Sequence, residues 1–143
     1  VGFGPLGPQF PVCMSGEESH ESFRIFRIRA RHAGEFHMQT LRDGEFYILY
    51  KFELARYGPA DCEVGHFYSH KHPGATFVNH LVVSKILDEE VRSLRNREYW
   101  IINATGECKR SVSDGSQLKM VLADHFGVFV SEAEGQRLFE LTA

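Results

Sequence analysis

Three histidines near the middle of the chain come closest, in type and spacing, to the ligands of a metal site. His66 and His70 are four residues apart, so a helix would place both on one face, as it does for pairs of metal ligands. In zinc proteases a glutamate general base follows the first histidine, whereas Phe67 stands there in this chain, and no downstream carboxylate completes the pattern. We therefore expect no metal site. The histidines are expected to lie on a polar helix rim or loop that ends at His72 and Pro73.

Nucleophilic catalysis needs a cysteine or serine beside a base that a third group orients. Cys13 follows a proline-rich loop and Cys62 starts a predicted helix. Cys108 precedes Lys109 and Arg110, which is the most favourable electrostatic setting of the three for a lowered thiol pKa. Because a basic neighbour pair is weak evidence by itself, we interpret all three thiols as structural or incidental.

Composition indicates a globular chain with its own core. The 143 residues include 43% apolar and 13% aromatic residues. The three cysteines are odd in number and form no CxxC pair, which favours a reducing, cytoplasmic setting over a disulfide framework. The net charge of −3 carries no long runs of one sign, so we expect neither nucleic acid nor a membrane surface as a partner. The sequence contains no run of about 18 apolar residues, and we recognise no signal peptide.

The chain opens on Val1, Gly2, Phe3 and Gly4, without an initiator methionine. Two glycines around one aromatic residue let the backbone pass close to a ligand while Phe3 points into the gap. A β-bulge that carries one core aromatic residue fits the same spacing. This opening predicts that the chain is a fragment of a longer protein.

Alternating apolar residues predict an antiparallel meander in the first part of the chain. Strands are expected over residues 22–30, 35–41 and 45–54, with a bulge where the adjacent Ile25 and Phe26 break the alternation. Arg42, Asp43 and Gly44 separate the second and third strands and are typical of a hairpin turn. We expect this sheet to curl toward a barrel.

The second part combines helices with further strands. Residues 59–72 predict a short helix that ends before Pro73, residues 77–87 and 91–104 predict strands, and a last short strand ends near Val112. Two helices follow, the first with Asp114 as its cap and the second opened by Ser131 with Glu134. The predicted fold class is α+β, mainly β: an antiparallel β-barrel portion followed by an α/β lid with C-terminal helices.

Several segments, in order and spacing, resemble arylamine N-acetyltransferases. They are VGFG at residues 1–4, YILYKFEL at 47–54, HFYSHKHPGATF at 66–77, TGE at 105–107 and LADHFGV at 122–128. The resemblance spans nearly the whole chain. It implies that residues 1–76 are the C-terminal portion of the family's β-barrel domain with an inter-domain helix and loop, and that residues 77–143 are its α/β lid.

The resemblance also implies a ping-pong acetyl transfer from acetyl-CoA to arylamines, arylhydroxylamines or hydrazines, with no metal. The family uses a Cys-His-Asp triad, and its aspartate directly precedes the Val-Gly-Phe-Gly run. The aspartate is therefore expected immediately before Val1, with the cysteine and histidine further upstream and none of the three in this chain. The expected partners are the N-terminal half of the same enzyme, which would carry the triad, and a small arylamine or hydrazine.

Two groups of site residues follow from the resemblance. The acceptor pocket would be formed by Gly2, Phe3 and Gly4, and the coenzyme A contact by Ser69, His70, Lys71 and His72. Relatives often carry serine and threonine where this chain has the more basic second group, which could pair with phosphate or only with solvent.

Two alternatives to acetyl transfer remain open. Amide synthases of the same superfamily use the same triad with a carrier-bound acyl chain. From a different class, the chain could be a non-catalytic β-barrel binding module. Stable, monomeric folding without exposed apolar surface would favour that interpretation, because half an enzyme should expose the face that its other half covers.

Overall fold

The computed structural model describes residues 6–142. The chain divides into two compact units, one ending at Arg56 and the other beginning at Tyr57. Each unit is built on a four-stranded antiparallel sheet with its strands in chain order. This confirms the α+β class, although neither sheet closes into a barrel within the described residues. The predicted domains, residues 1–76 and 77–143, stay a prediction about the whole protein.

The first unit is the predicted meander. Its strands are β1 (Ser19–Glu21), β2 (Arg24–Ala30), β3 (Glu35–Arg42) and β4 (Glu45–Glu53). Asp43 and Gly44 both have positive φ, 52° and 81°, which is the backbone of the tight two-residue turn that suits the twist of a hairpin. The predicted hairpin is therefore confirmed.

The predicted bulge lies elsewhere. Pairing is unbroken through Ile25 and Phe26, whereas the register shifts between Met38 and Gln39, where β4 contains one extra residue, Leu49. Phe26 is fully buried and Ile25 is half-buried. The alternation in β2 is broken because both of its faces are partly covered, so a kink in the backbone is unnecessary.

The core of the first unit forms on one face of this sheet. Phe26, Ile28 and Met38 are its buried residues, and the partly buried Val12, Phe36, Leu49, Tyr50 and Phe52 pack against them. On the other face, Arg27 Nε donates to Gln39 Oε1 at 2.8 Å, and its guanidinium lies 3.4 Å from the centre of the Phe46 ring. The meander thus has an apolar and a polar face, as alternation requires.

The second unit combines its sheet with helices. The elements are α1 (Pro59–Lys71), α2 (Thr76–Asn79), β5 (Val82–Ile86), β6 (Glu90–Arg95), β7 (Glu98–Asn103), β8 (Gly106–Ser111), α3 (Gly115–Val121), a π-helical turn (Leu122–Phe126) and α4 (Glu132–Leu141). Among residues 6–142, no helix has both the length and the apolar character needed to cross a bilayer.

Two predicted strands of this unit were partly wrong. The expected strand 77–87 starts as the short helix α2, and only its second half is extended. The expected strand 91–104 is a hairpin that reverses at Asn96, whose φ is +55°. Asparagine adopts this left-handed backbone more readily than most residues, and that was the overlooked turn signal.

The C-terminal helices follow the predicted capping pattern. The Gln117 amide donates to Asp114 Oδ1 at 2.8 Å, and Ser131 and Glu134 form a reciprocal capping box. Gly127 ends the preceding helical turn with φ +71°. The helices cover a core whose buried residues are Leu94, Tyr99, Val112, Leu118, Leu122 and Phe126.

Helices α3 and α4 approach each other through glycines. A Cβ at Gly115 would lie 2.5 Å from the Gln136 Cα, and one at Gly135 would lie 2.9 Å from the Gly115 carbonyl oxygen. These distances are too short for nonbonded atoms, so the two backbones can approach this closely only because both positions lack a side chain.

We expect Gly115→Ala to lower the free energy of unfolding by about 1–3 kcal/mol, because the added methyl group overpacks the helix contact. Gly65→Ala is the matched control, since nothing lies within 4 Å of its Cβ position on α1, and it should stabilise the chain by about 0.5–1 kcal/mol. Urea unfolding followed by circular dichroism measures both. Equal effects of the two substitutions would contradict the packing argument.

Candidate functional site

The predicted coenzyme-contact residues lie at the C-terminal end of α1. The helix begins after Gly58, whose amide donates to Asp61 Oδ2 at 2.8 Å, and its last backbone bond joins the His72 amide to the Tyr68 carbonyl at 3.2 Å. His72 itself is extended, with φ −66° and ψ 130°, as the residue before a proline prefers. The predicted helix over residues 59–72 is thereby confirmed.

The four predicted residues differ in how far their polar atoms are engaged. The Ser69 hydroxyl donates to the Gly65 carbonyl at 2.8 Å, and His70 Nδ1 lies 2.6 Å from the His66 carbonyl oxygen. His72 Nδ1 accepts the Gly74 amide proton at 3.1 Å. The Lys71 ammonium is exposed and has no hydrogen bond or ion pair with the rest of residues 6–142.

The C-terminal end of α1 attracts cations. His70 and Lys71 occupy the last turn of α1, where the free carbonyl groups give the helix its negative end. Lysine or protonated histidine there offsets that partial charge, and the exposed Lys71 retains full capacity for an external anion. We call Ser69, His70, Lys71 and His72 the α1 terminal cluster.

Aromatic rings lie beside the α1 terminal cluster. Phe67 and Tyr68 are 62% and 54% exposed, respectively. The Phe67 ring meets that of His70 edge-on at 6.4 Å, and the Tyr68 ring stacks on His72 at 4.4 Å. These contacts hold the imidazoles at the surface, where a ligand can reach them.

The segment after α1 is held in place by Asn79. Its side-chain amide donates to the carbonyl oxygens of Pro73 and Ala75, at 2.5 Å and 3.0 Å. Ala75 is 4% exposed, so this stretch also has a buried anchor. The predicted acceptor residues Gly2, Phe3 and Gly4 lie outside the described residues, and their role stays a prediction.

The structure places Cys13 in a setting that lowers the pKa of its thiol. All three are exposed, and no hydrogen bond joins a thiol to a histidine in the described part of the chain. Lys109 lies on the face of β8 opposite Cys108, over the Trp100 ring and paired with Glu98, so its side chain is directed away from the Cys108 thiol. Instead, hydrogen bonds from Ser15 lower the pKa of the Cys13 thiol.

The second unit contains a cleft of about 490 Å³ that was not predicted from the sequence. It lies at the β6–β7 turn and is lined by His80, Arg95, Asn96, Arg97, Glu98, Trp100 and Thr142. The Arg97 guanidinium donates to the Phe139 carbonyl at 3.0 Å and covers its ring, whereas Arg95 is exposed and has no ion pair within residues 6–142. A turn predicted at Asn96 from the sequence would have indicated that the residues around it lie close together.

The lowered pKa of Cys13 predicts faster alkylation of this thiol near neutral pH, because a larger fraction is thiolate. Ser15→Ala should slow the reaction at Cys13 and leave the rates at Cys62 and Cys108 unchanged. The difference should shrink as the pH rises through the ordinary thiol range, where every cysteine ionises. Iodoacetamide labelling with peptide mass spectrometry measures the three rates, and equal rates near neutral pH would contradict the prediction.

Comparison with known proteins defines the class. The model of a family described as N-acetyltransferase matches residues 1–134. An arylamine N-acetyltransferase from Mycolicibacterium smegmatis is 25% identical over 140 residues, which are 95% of this chain and 50% of that protein. The chain therefore belongs to the arylamine N-acetyltransferase family, as its sequence motifs predicted.

Solved structures share the fold. The Mycobacterium marinum arylamine N-acetyltransferase in complex with CoA has a TM-score of 0.88 at 22% identity, and covers 99% of this chain and 54% of its own. The M. tuberculosis arylamine N-acetyltransferase has a TM-score of 0.85 at 24% identity, with 98% and 53% covered. The chain thus spans about half the length of the relatives that it matches.

Proposed function

We propose that this chain is the C-terminal portion of an enzyme that transfers acetyl from acetyl-CoA to arylamines, arylhydroxylamines or hydrazines. The observation that carries the proposal is the family match over residues 1–134, which includes the Val-Gly-Phe-Gly opening. The catalytic Cys-His-Asp triad lies upstream, with the aspartate directly before Val1. The proposed setting is the cytoplasm.

The reaction proceeds in two acyl transfers. The histidine takes the proton of the cysteine thiol, and the thiolate attacks the acetyl carbonyl, so that coenzyme A leaves as its thiol with that proton. The amine then attacks the acetyl-cysteine thioester, the histidine accepts the amine proton, and the cysteine leaves. The aspartate orients the imidazole and stabilises its charged form throughout. No metal enters either step.

This chain supplies binding groups to that reaction. Gly2, Phe3 and Gly4 shape the acceptor pocket, and the α1 terminal cluster contacts the coenzyme. Lys71 is the strongest anion-binding group of the cluster, because its charge is exposed and unpaired within the described residues. Ser69 contributes less, since its hydroxyl proton is already donated to the Gly65 carbonyl.

The proposed macromolecular partner is the N-terminal half of the same enzyme. Exposed apolar residues on α1 support a covering partner: Val64 is 70% exposed, Phe67 62% and Tyr68 54%. The other proposed partners are small molecules, and we propose neither nucleic acid nor a membrane as a partner.

The decisive experiment starts from the gene. The codon before Val1 should encode aspartate, and a cysteine should occur upstream in an Arg-Gly-Gly-x-Cys context. The longer product should acetylate a panel of arylamines and hydrazines with acetyl-CoA, and substitution of that cysteine by serine should abolish the activity. If no member of the panel is acetylated, the proposal is wrong. Turnover with a carrier-bound acyl chain alone would instead identify an amide synthase.

In the same longer protein, Lys71→Ala should raise the KM for acetyl-CoA about tenfold, the effect of losing roughly 1.4 kcal/mol of charge-assisted binding to phosphate. Lys85→Ala, on the exposed side of β5, is the charge-matched control and should change KM less than about twofold. Steady-state kinetics with a fixed arylamine measures both. Equal shifts in the two variants would exclude a specific coenzyme contact at Lys71.

A further inference from the structure

His66 and His70 form a close pair on one side of α1. The centres of their imidazole rings are 4.2 Å apart, and the ring planes differ by 26°. Both side chains are exposed. A helix places residues four apart on neighbouring turns of the same face, so the rings are brought together by the backbone and need no loop to order them.

The hydrogen bond of His70 determines which of its nitrogens is free. Its Nδ1 lies 2.6 Å from the His66 carbonyl oxygen. A carbonyl oxygen only accepts, so Nδ1 carries the proton, and in the neutral ring Nε2 has the lone pair. Metal-bound histidines usually have this arrangement, in which one nitrogen donates to a carbonyl and the other binds the ion.

The His66 ring also has nitrogens that are not engaged by hydrogen bonds within the described residues. The His66 side chain has no hydrogen bond within residues 6–142, and its ring contact is the stacking with His70. In the stacked pair the two ring planes are nearly parallel, so a shared ion requires the His66 ring to turn toward His70 Nε2, and no hydrogen bond within the described residues holds that ring in place. The two histidines therefore offer two imidazole donors from adjacent turns of one helix.

His72 has the opposite arrangement. Its Nδ1 accepts the Gly74 amide proton, so the proton of the neutral ring lies on Nε2, and that nitrogen cannot bind a metal ion. The ring also stacks on Tyr68 at 4.4 Å. The third histidine of the sequence cluster is thus excluded from the pair by its own hydrogen bond.

The sequence alone predicted no metal site here, but from the hydrogen bonds of these rings we propose that His66 and His70 form a two-histidine site for a divalent transition-metal ion such as Zn²⁺ or Cu²⁺. Imidazole nitrogen suits these ions. In the described residues no group of three or more His, Cys, Asp or Glu side chains is arranged to hold a metal, so water occupies the remaining coordination positions. The site shares His70 with the proposed coenzyme contact, but zinc binding is measured without acetyl transfer, so the two proposals can fail separately.

The test is a Zn²⁺ titration of the untagged chain by isothermal calorimetry in a non-coordinating buffer. Cys13, Cys62 and Cys108 are first replaced by serine, since thiolates bind zinc and all three are exposed. One Zn²⁺ should bind per chain. H66Q or H70Q should weaken binding at least about tenfold, because the second bond is intramolecular only when both rings are present. H72Q, the matched control, should change affinity less than about twofold.

Two further measurements test whether a loss of affinity comes from an unfolded helix and whether the spacing of the pair is sufficient for binding. Circular dichroism of each variant shows whether the helix is retained. Cys62→His combined with H70Q moves the pair one turn earlier, to positions 62 and 66, with the same spacing, and should recover the affinity. Binding unchanged in H66Q/H70Q, an equal loss in H72Q, or no recovery in the shifted pair with intact helicity would each overturn the proposal.

Discussion

The α1 terminal cluster depends on where the helix stops. Pro73 disfavours the helical backbone at the residue before it, so His72 is extended and α1 ends at Lys71. This stop leaves the last carbonyl groups of the helix without amide partners and makes its end negative. Basic residues at that end offset the charge, and the exposed Lys71 extends from it into solvent. A helix continued past residue 72 would spread the same side chains around its circumference.

Two neighbouring histidines of this cluster have acquired different chemistry from their backbone contacts. His70 donates through Nδ1 to a carbonyl of its own helix, whereas His72, just beyond the helix, accepts an amide proton at the equivalent atom. The first ring keeps a free lone pair at Nε2, and the second presents a proton there. Residue type is therefore insufficient to assign a role, since a single hydrogen bond decides whether an imidazole donates a proton or binds an ion.

Each of the two sheets supports a core of its own. Each unit has its own apolar core, around Phe26 in the first and around Leu94 and Tyr99 in the second. The three cysteines are exposed, and none of them has a hydrogen bond to a histidine within the described residues. The described residues form a scaffold with cationic and aromatic surface groups, and the family match extends over residues 1–134.

The sequence by itself determined the features that depend on near neighbours. The Asp43–Gly44 turn, the Asp114 and Ser131 caps, the end of α1 before Pro73 and the family motifs could all be predicted, because each follows from residues within a few positions of one another. The tertiary structure alone decided the bulge at Leu49, the surroundings of Cys108, the assembly of the cleft at Asn96 and the hydrogen bonds that distinguish His70 from His72. These features depend on strand register, on which face a side chain occupies and on the exact end of a helix, and in a strand a shift of one residue moves every side chain to the other face.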